Sequence, residues 1–330
     1  MAEKYDFIAI GDIVVDEFVR LKEASVHCNI NHESCEICMR FADKVPFEEA
    51  YLVPAVGNSP NAAVAAARLG LKSALVTNLG DDEYGRDCLA ALRAVGVAQK
   101  FVKIHPGCRT NHHYVLWYQD ERTILIRHEV YPYVLPDIDE PSWIYLSSMG
   151  ETSLEFHSQI AKYLADHPSI KIAFQPGTYQ IKFGVDKLKD IYTRTEVIFC
   201  NKEESQKILK TEEEDVKKLL AGMRGLGPQS AVITDGKEGA YASDGKWTWF
   251  MPGYPDPKPP LERTGAGDAF SSTFTAALCL GLDMETALRW APINSMSVVQ
   301  GVGAQAGLLT REQLLDYLKK APPDYAPKII

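Results

Sequence analysis

The 330-residue chain sets 35 Lys and Arg against 44 Asp and Glu, a formal charge of −9, with a pI near 5.5. That balance argues against a general nucleic-acid binder, because no basic cluster is present to follow a phosphate backbone, and an anionic ligand would need a local site. The length allows one large α/β domain or a domain with an appendage. No apolar run reaches membrane-spanning length, and seven cysteines without an export signal point to reduced thiols in a cytoplasmic protein.

Phe7–Ile10 reads as a strand, whereas Ile13 to Ala55 shows no clear helix–strand alternation. Asn61–Leu69 is Ala-rich and helical, Ser73–Asn78 extended, and Glu83–Ala94 amphipathic. His112–Tyr118 and Arg122–His128 are two extended runs around Gln119-Asp120-Glu121, a hairpin pattern. The β/α rhythm resumes through Trp143–Leu146, Leu154–Ala165, Ile170–Phe174, Val197–Cys200, Glu212–Met223 and Ala231–Thr234. Capping boxes place helix starts at Thr152/Glu155, Thr211/Glu214 and Thr310/Gln313. Pro252 to Pro260 is an extended connector into a buried helix, Ala269 to Leu280. The expectation is an α/β fold with a parallel, helix-flanked sheet. Residues 1–12, 56–104 and 136–330 would form the core, and 13–55 and 105–135 a small β-rich lid.

The stretch Thr264-Gly265-Ala266-Gly267-Asp268 stands at the entrance of that last helix. Gly265, Ala266 and Gly267 would offer backbone N–H groups at its positive end, where anions bind. Asp268, in the first turn, could take the proton of an attacking hydroxyl while the amides stabilise a transferring phosphoryl group. The plainer alternative is a glycine turn with an acidic residue that complements the helix dipole. Ligands of open parallel sheets bind at the carboxyl ends of strands. Gly11, Asp12 and Asp16, then Asn201 and Glu204, then Asp235 and Gly236, follow three of the strand runs.

Four motifs in order carry a resemblance to the ribokinase-like (PfkB) sugar and nucleoside kinases along nearly the whole chain. Gly11 to Asp16 is similar to the first-strand motif whose Asp binds substrate hydroxyls, and Val56-Gly57-Asn58-Ser59-Pro60-Asn61 to the Gly-Gly-x-x-x-Asn substrate loop. Asn201-Lys202-Glu203-Glu204 fits Asn-x-x-Glu, and Thr264 to Asp268 fits the signature loop. The resemblance implies a three-layer α/β/α fold with a small lid and an ATP-dependent kinase acting on a sugar or nucleoside hydroxyl. Asp268 would be its general base and Gly265 to Gly267 its anion hole. It places Asp12, Asp16, Gly57, Asn58 and Asn61 on the substrate side, and Asn201 and Glu204 near Mg²⁺, with Glu204 acting through water. Thr234, Gly236 and Asn294 fall on the nucleotide side, and Glu262 occupies a position that binds a monovalent cation, K⁺, in relatives. Local roles remain open: Asn201 with Glu204 and Asn61 are also competent helix N-caps. A non-catalytic sugar or nucleoside sensor on the same fold is the rival reading.

The chain departs from the pattern at Val56, where the first Gly of the pair is usual, and at Arg263, where a small residue is usual. The resemblance does not account for His27 to Cys38. Cys28, Cys35 and Cys38 with His27 or His32 offer ligands for structural Zn²⁺, while reduced cysteines packing the lid, or substrate contacts from His27, Asn29 or His32, are the alternatives. The hairpin edge is expected to pair with a second copy as a homodimer through the lid. Nucleic acid and membrane are not expected as partners.

Overall fold

The computed structural model describes residues 4–29, 35–119 and 121–330. Five strands precede the first helix: β1 (Phe7–Ile10), β2 (Val14–Leu21), β3 (Ser25–Cys28), β4 (Cys35–Cys38) and β5 (Phe47–Val56), followed by α1 (Asn58–Arg68). Then come β6 (Ser73–Gly80), α2 (Glu83–Ala94), β7 (Val102–His105) and the hairpin of β8 (His112–Tyr118) and β9 (Glu121–Arg127). The chain continues through β10 (Trp143–Leu146), α3 (Leu154–Asp166), β11 (Lys171–Phe174), α4 (Thr178–Phe183), α5 (Lys189–Arg194) and β12 (Val197–Asn201). Next are α6 (Lys202–Leu209), α7 (Val216–Gly225), β13 (Ser230–Thr234), β14 (Ala240–Ser243) and β15 (Thr248–Met251). The last elements are α8 (Ala266–Cys279), α9 (Met284–Val298), α10 (Arg311–Lys319) and β16 (Lys328–Ile329).

The central sheet runs β7-β6-β1-β10-β11-β12-β13-β14-β15-β16. It is parallel from β7 to β13 and antiparallel beyond. Its strands are apolar on both faces because helices cover both. Phe7, Ala9, Trp143, Tyr145, Val197 and Phe199 join one core with α1, α2, α8, α9 and α10. Ile8, Ile10, Ile144, Leu146, Ile198 and Cys200 join the other with α3, α5, α6 and α7. That alternation every second residue makes three layers.

A second sheet, β5-β2-β8-β9, lies apart from the first. Its β2 pairs antiparallel with β5 and parallel with β8, pairings between segments far apart in the chain. The expected hairpin is present as β8 and β9, and the unassigned segment from Ile13 supplies the other two strands. A two-stranded ribbon, β3 with β4, sets Cys28 opposite Cys35, and the structure joins them as a disulfide. This corrects the expectation of reduced thiols throughout, and it removes two of the three sulfurs proposed for Zn²⁺. Cys38 is free, and His32 lies outside the described residues.

Of the three expected capping boxes, Thr310 with Gln313 is formed. The others are not: α3 begins after Ser153 without a side-chain cap, and α7 begins after Asp215, whose carboxylate accepts from Lys217 N. Thr211 instead closes a local turn by accepting from Glu213 N, the competing use of a short hydroxyl side chain. Among the described residues no helix is long and apolar enough to cross a membrane.

Candidate active site

β1 and β10 are parallel neighbours, yet the sheet is built outward from them in opposite directions, toward β6 and toward β11. Such a reversal opens a crevice at the carboxyl ends of the strands. Gly11 follows β1 there, and an added Cβ would press on Ser59 at the start of α1 and on the Ser148 carbonyl. Asp12 is 7 % exposed, and its carboxylate accepts from Gly150 N at 2.8 Å and from Tyr133 OH at 2.9 and 3.0 Å. Burial, with the Asp12 charge beside it, pushes the Tyr133 phenol far up, so it stays a donor. Asp16, on β2, is equally buried, and His113 Nδ1 lies 3.2 Å from its Oδ1. Gly57, with φ 120°, caps α1, and a Cβ there would stand 2.8 Å from the Asp12 carbonyl oxygen.

Gly265, in the left-handed region with φ 79°, is the N-cap of α8 and no side chain caps that end. A Cβ on Gly265 would overlap Ala304, whereas the space around Gly267 is open. The first amides of α8 therefore remain available to an anion. Asp268 sits in this first turn within a ring of amides. Its Oδ1 accepts from Asn58 Nδ2 at 2.7 Å and Gln175 Nε2 at 3.2 Å, and its Oδ2 from Asn61 Nδ2 at 2.8 Å. Burial raises its carboxyl pKa, opposed by hydrogen bonds from Asn61, Gln175 and Asn58 and by the positive charge of Arg122.

The ring is itself held. Asn61 Oδ1 accepts from Gln305 Nε2 at 2.9 Å, and the same nitrogen donates to the Ala55 carbonyl at 2.7 Å. Gln175 Oε1 accepts from Tyr145 OH and from Ser271 Oγ, so its Nε2 is turned to Asp268. The Tyr145 phenol, buried and beside the Asp268 charge, is raised well above its ordinary pKa and keeps its proton.

On the other side of the glycine turn a cavity of about 640 Å³ is lined by Thr234, Gly236, Arg263, Gly267, Ser295 and Met296. Asn294 is wholly buried, its amide committed to Thr273 Oγ1 at 2.8 Å and Leu309 N at 2.9 Å. It braces this wall while its neighbours Ser295 and Met296 face the space. Asn201 and Glu204 form a reciprocal capping box at α6. That bond uses Glu204 Oε2. Burial raises the Glu204 pKa, and the Asp268 charge adds to it. Glu204 and Asp268 are thus two carboxylates within electrostatic reach of each other. Glu262 is almost fully buried and accepts Thr264 N at 2.6 Å and Gly303 N at 2.9 Å. Backbone donors thus satisfy both oxygens.

The expected residues Asp268, Gly265 to Gly267, Asn58 and Asn61 come together around one point, with Asp12, Asp16 and Gly57 along the crevice. Gln175, Gln305, Tyr145, Ser271 and Tyr133 were missed. Gln175 had a signal, since it directly follows the strand run Ile170–Phe174, the placement that drew attention to Asn201 and Asp235. Tyr145 lies inside the strand run Trp143–Leu146, where it reads as one more core residue, Ser271 in a helix interior, and Tyr133 and Gln305 in loops, where nothing local marks them.

A carboxylate at a helix entrance, with a turn that excludes larger residues at Gly265 and a wide cavity on its far side, suits phosphoryl transfer to a small molecule. The model of the pfkB family carbohydrate kinases matches residues 31–311, and the chain belongs to that family. It is 30% identical over 271 residues to the ribokinase of Bacillus subtilis, covering 79% of this chain and 87% of that one. With the cytidine kinase of Thermococcus kodakarensis the identity is 28% over 253 residues, or 71% and 83% of the two chains. Among solved structures, Arabidopsis thaliana ribokinase complexed with ribose and ATP superposes with TM-score 0.79 at 20% identity, covering 96% of this chain and 99% of that one. A putative ribokinase II from E. coli in complex with ATP and Mg²⁺ gives 0.74 at 17% identity, over 96% and 99%.

Proposed function

We propose that the protein transfers a phosphoryl group from ATP to an exocyclic CH₂OH of a small sugar or nucleoside. The observation that carries this is the Asp268 carboxylate, fixed by three side-chain amides at the open N-terminus of α8. Asp12 and Asp16 would accept substrate hydroxyls in the crevice, aided by the backbone at Gly57 and the amides of Asn58 and Asn61. Asp268 takes the proton of the attacking hydroxyl, and its raised pKa makes it a stronger base than an ordinary carboxylate. The N–H groups of residues 265–267 stabilise charge on the transferring group. The nucleotide occupies the cavity lined by Thr234, Gly236, Arg263 and Ser295. Glu204 with Asn201 would hold Mg²⁺ through water, and the ion would neutralise phosphate charge. Glu262 is already satisfied by backbone donors, so no monovalent cation is part of the proposal.

Segments 13–55 and 105–135 act as a lid that excludes water from a core formed by the rest of the chain. Its edge strand β9 exposes Leu125 and Ile126, which supports pairing with a second copy. ADP formation measured against pentoses, hexoses, phosphosugars and nucleosides tests the reading. Production with at least one of them is expected, and binding without ADP from any member would establish a sensor instead.

A further inference from the structure

Lid and core meet through a chain of four titratable side chains. Asp16 comes from β2, His113 from β8, His128 from just after β9, and Asp12 from just after β1. His113 Nδ1 lies 3.2 Å from Asp16 Oδ1, its Nε2 lies 3.0 Å from His128 Nε2, and His128 Nδ1 lies 3.5 Å from Asp12 Oδ2. The two rings are stacked, with centroids 5.1 Å apart.

Proton counting makes this arrangement informative. Two neutral imidazoles carry two N–H groups between them, whereas the three contacts need three hydrogens. If His128 donates to His113, then His128 Nδ1 is bare against Asp12; if His113 donates, its own Nδ1 is bare against Asp16. Every neutral tautomer therefore leaves a nitrogen lone pair, or an unmatched N–H pair, facing a neighbour. The two carboxylate contacts are close ion-pair approaches rather than aligned hydrogen bonds, since Asp16 Oδ1 and His128 Nδ1 are buried without a hydrogen-bond partner, and such atoms call for an explanation.

We propose that the chain holds one additional proton, a single imidazolium shared by His113 and His128 between the two carboxylates, and that it positions Asp16 for the substrate. The role of Asp16 rests on the kinase reading above; the proton itself does not. With that proton present, each carboxylate faces a ring N–H of a shared cation at ion-pair distance, and the ring-to-ring contact keeps one hydrogen. Asp16 Oδ1 is then occupied, and Oδ2 is left to a substrate hydroxyl. Tyr133 and Gly150 N hold Asp12 from the core side. Among the described residues, Glu129 is paired with Arg127, and Glu17 with His112, next to Tyr84 of α2, occupies the opposite lid face; the protonated Tyr131 phenol stands within electrostatic reach of Asp12, and Arg122, on the His128 face of the hairpin, directs its charge to Asp268. Loss of the proton sets a bare nitrogen against a carboxylate, so Asp16 shifts and substrate affinity falls as pH rises. His113 and His128 are positioning residues in this scheme, since neither needs to touch the reacting atoms.

The test has two arms on the full chain. Histidine NMR with nitrogen-labelled rings should find one imidazolium across the pair near neutral pH; two neutral rings would overturn the proposal even if every variant misfolded. Kinetics of wild type, His113→Gln and His128→Gln are followed across about pH 6 to 9. For wild type, kcat/KM should fall about tenfold per pH unit on the alkaline side, a limb that kcat does not share. In both variants KM should be raised about tenfold at the acid end, the scale of one charge-assisted hydrogen bond, and its pH dependence should be gone. An unchanged alkaline limb in the variants overturns the proposal. Absence of ADP with every substrate would defeat the kinase reading alone, leaving the NMR result to judge the proton.

Discussion

Replacing the Asp268 carboxylate by an amide separates chemistry from packing. In Asp268→Asn the remaining oxygen can still accept from Asn58 and Gln175, but the new NH₂ faces the Asn61 NH₂, now 2.8 Å from a carboxylate oxygen. Asn61 cannot turn its oxygen inward without losing the hydrogen bond from Gln305. Leaving this donor pair unmet costs about 1–3 kcal/mol, partly offset because a buried carboxylate with a raised pKa is removed. The net change in unfolding free energy is therefore about 0–2 kcal/mol. Turnover should fall about 10²–10⁴-fold for loss of the base. Adding Asn61→Asp supplies an acceptor opposite the new NH₂ while Gln305 keeps its partner, so the double variant should regain stability to within about 1 kcal/mol of wild type. It should regain no turnover, because the carboxylate then stands on α1 rather than at the mouth of α8. Denaturant melts and steady-state ADP release are the assays. A single variant that turns over within about threefold of wild type would refute the assignment.

The Asp268 carboxyl, raised by burial, predicts an acid limb in kcat above the ordinary carboxylate value of about 4. Asp268 and Glu204, both raised in the folded state, contribute stability that is full below the unfolded pKa and lost as pH rises through the folded one. Between those two values kcat should therefore drop on acidification without loss of folding stability from these groups; a kcat profile flat down to about pH 4 would contradict this. Gly265→Ala forces a side chain at φ 79° into Ala304 and should cost about 2–4 kcal/mol in a denaturant melt; an unshifted midpoint would show that the turn is not constrained. Gln305→Ala frees the Asn61 amide from its lock and should lower kcat about tenfold through misplacement alone, with unchanged kcat counting against the second tier of hydrogen bonds.

Much of the core could be read in advance. Phe7–Ile10 and Trp143–Leu146 announce themselves because a strand covered on both faces has no polar positions. The helix Glu83–Ala94 was legible because its apolar residues recur at helical spacing. The lid was harder: β2 and β5 mix charges with apolar residues, and their partners are chosen by distant contacts rather than local pattern. The site divides the same way. Gly265 and Asp268 sit in one short motif, while Gln175 reaches Asp268 across 93 positions, and no spacing rule says which way a side chain after a strand will turn.

Segment 303–305 touches nearly every part of the machinery: Gly303 N holds Glu262, Gly303 lies against Val53 of the lid, Ala304 walls in Gly265, and Gln305 aligns Asn61. Gln305 is made 244 residues after Asn61. At about 5–20 residues per second, a growing chain spends roughly 12–50 s with α1 synthesised and its key amide unaligned. Strands and helices can assemble during that interval, but the Asp268 carboxylate cannot be aligned until the chain has reached this late turn. The order of synthesis thus delays activity in the nascent polypeptide until most of its fold is in place.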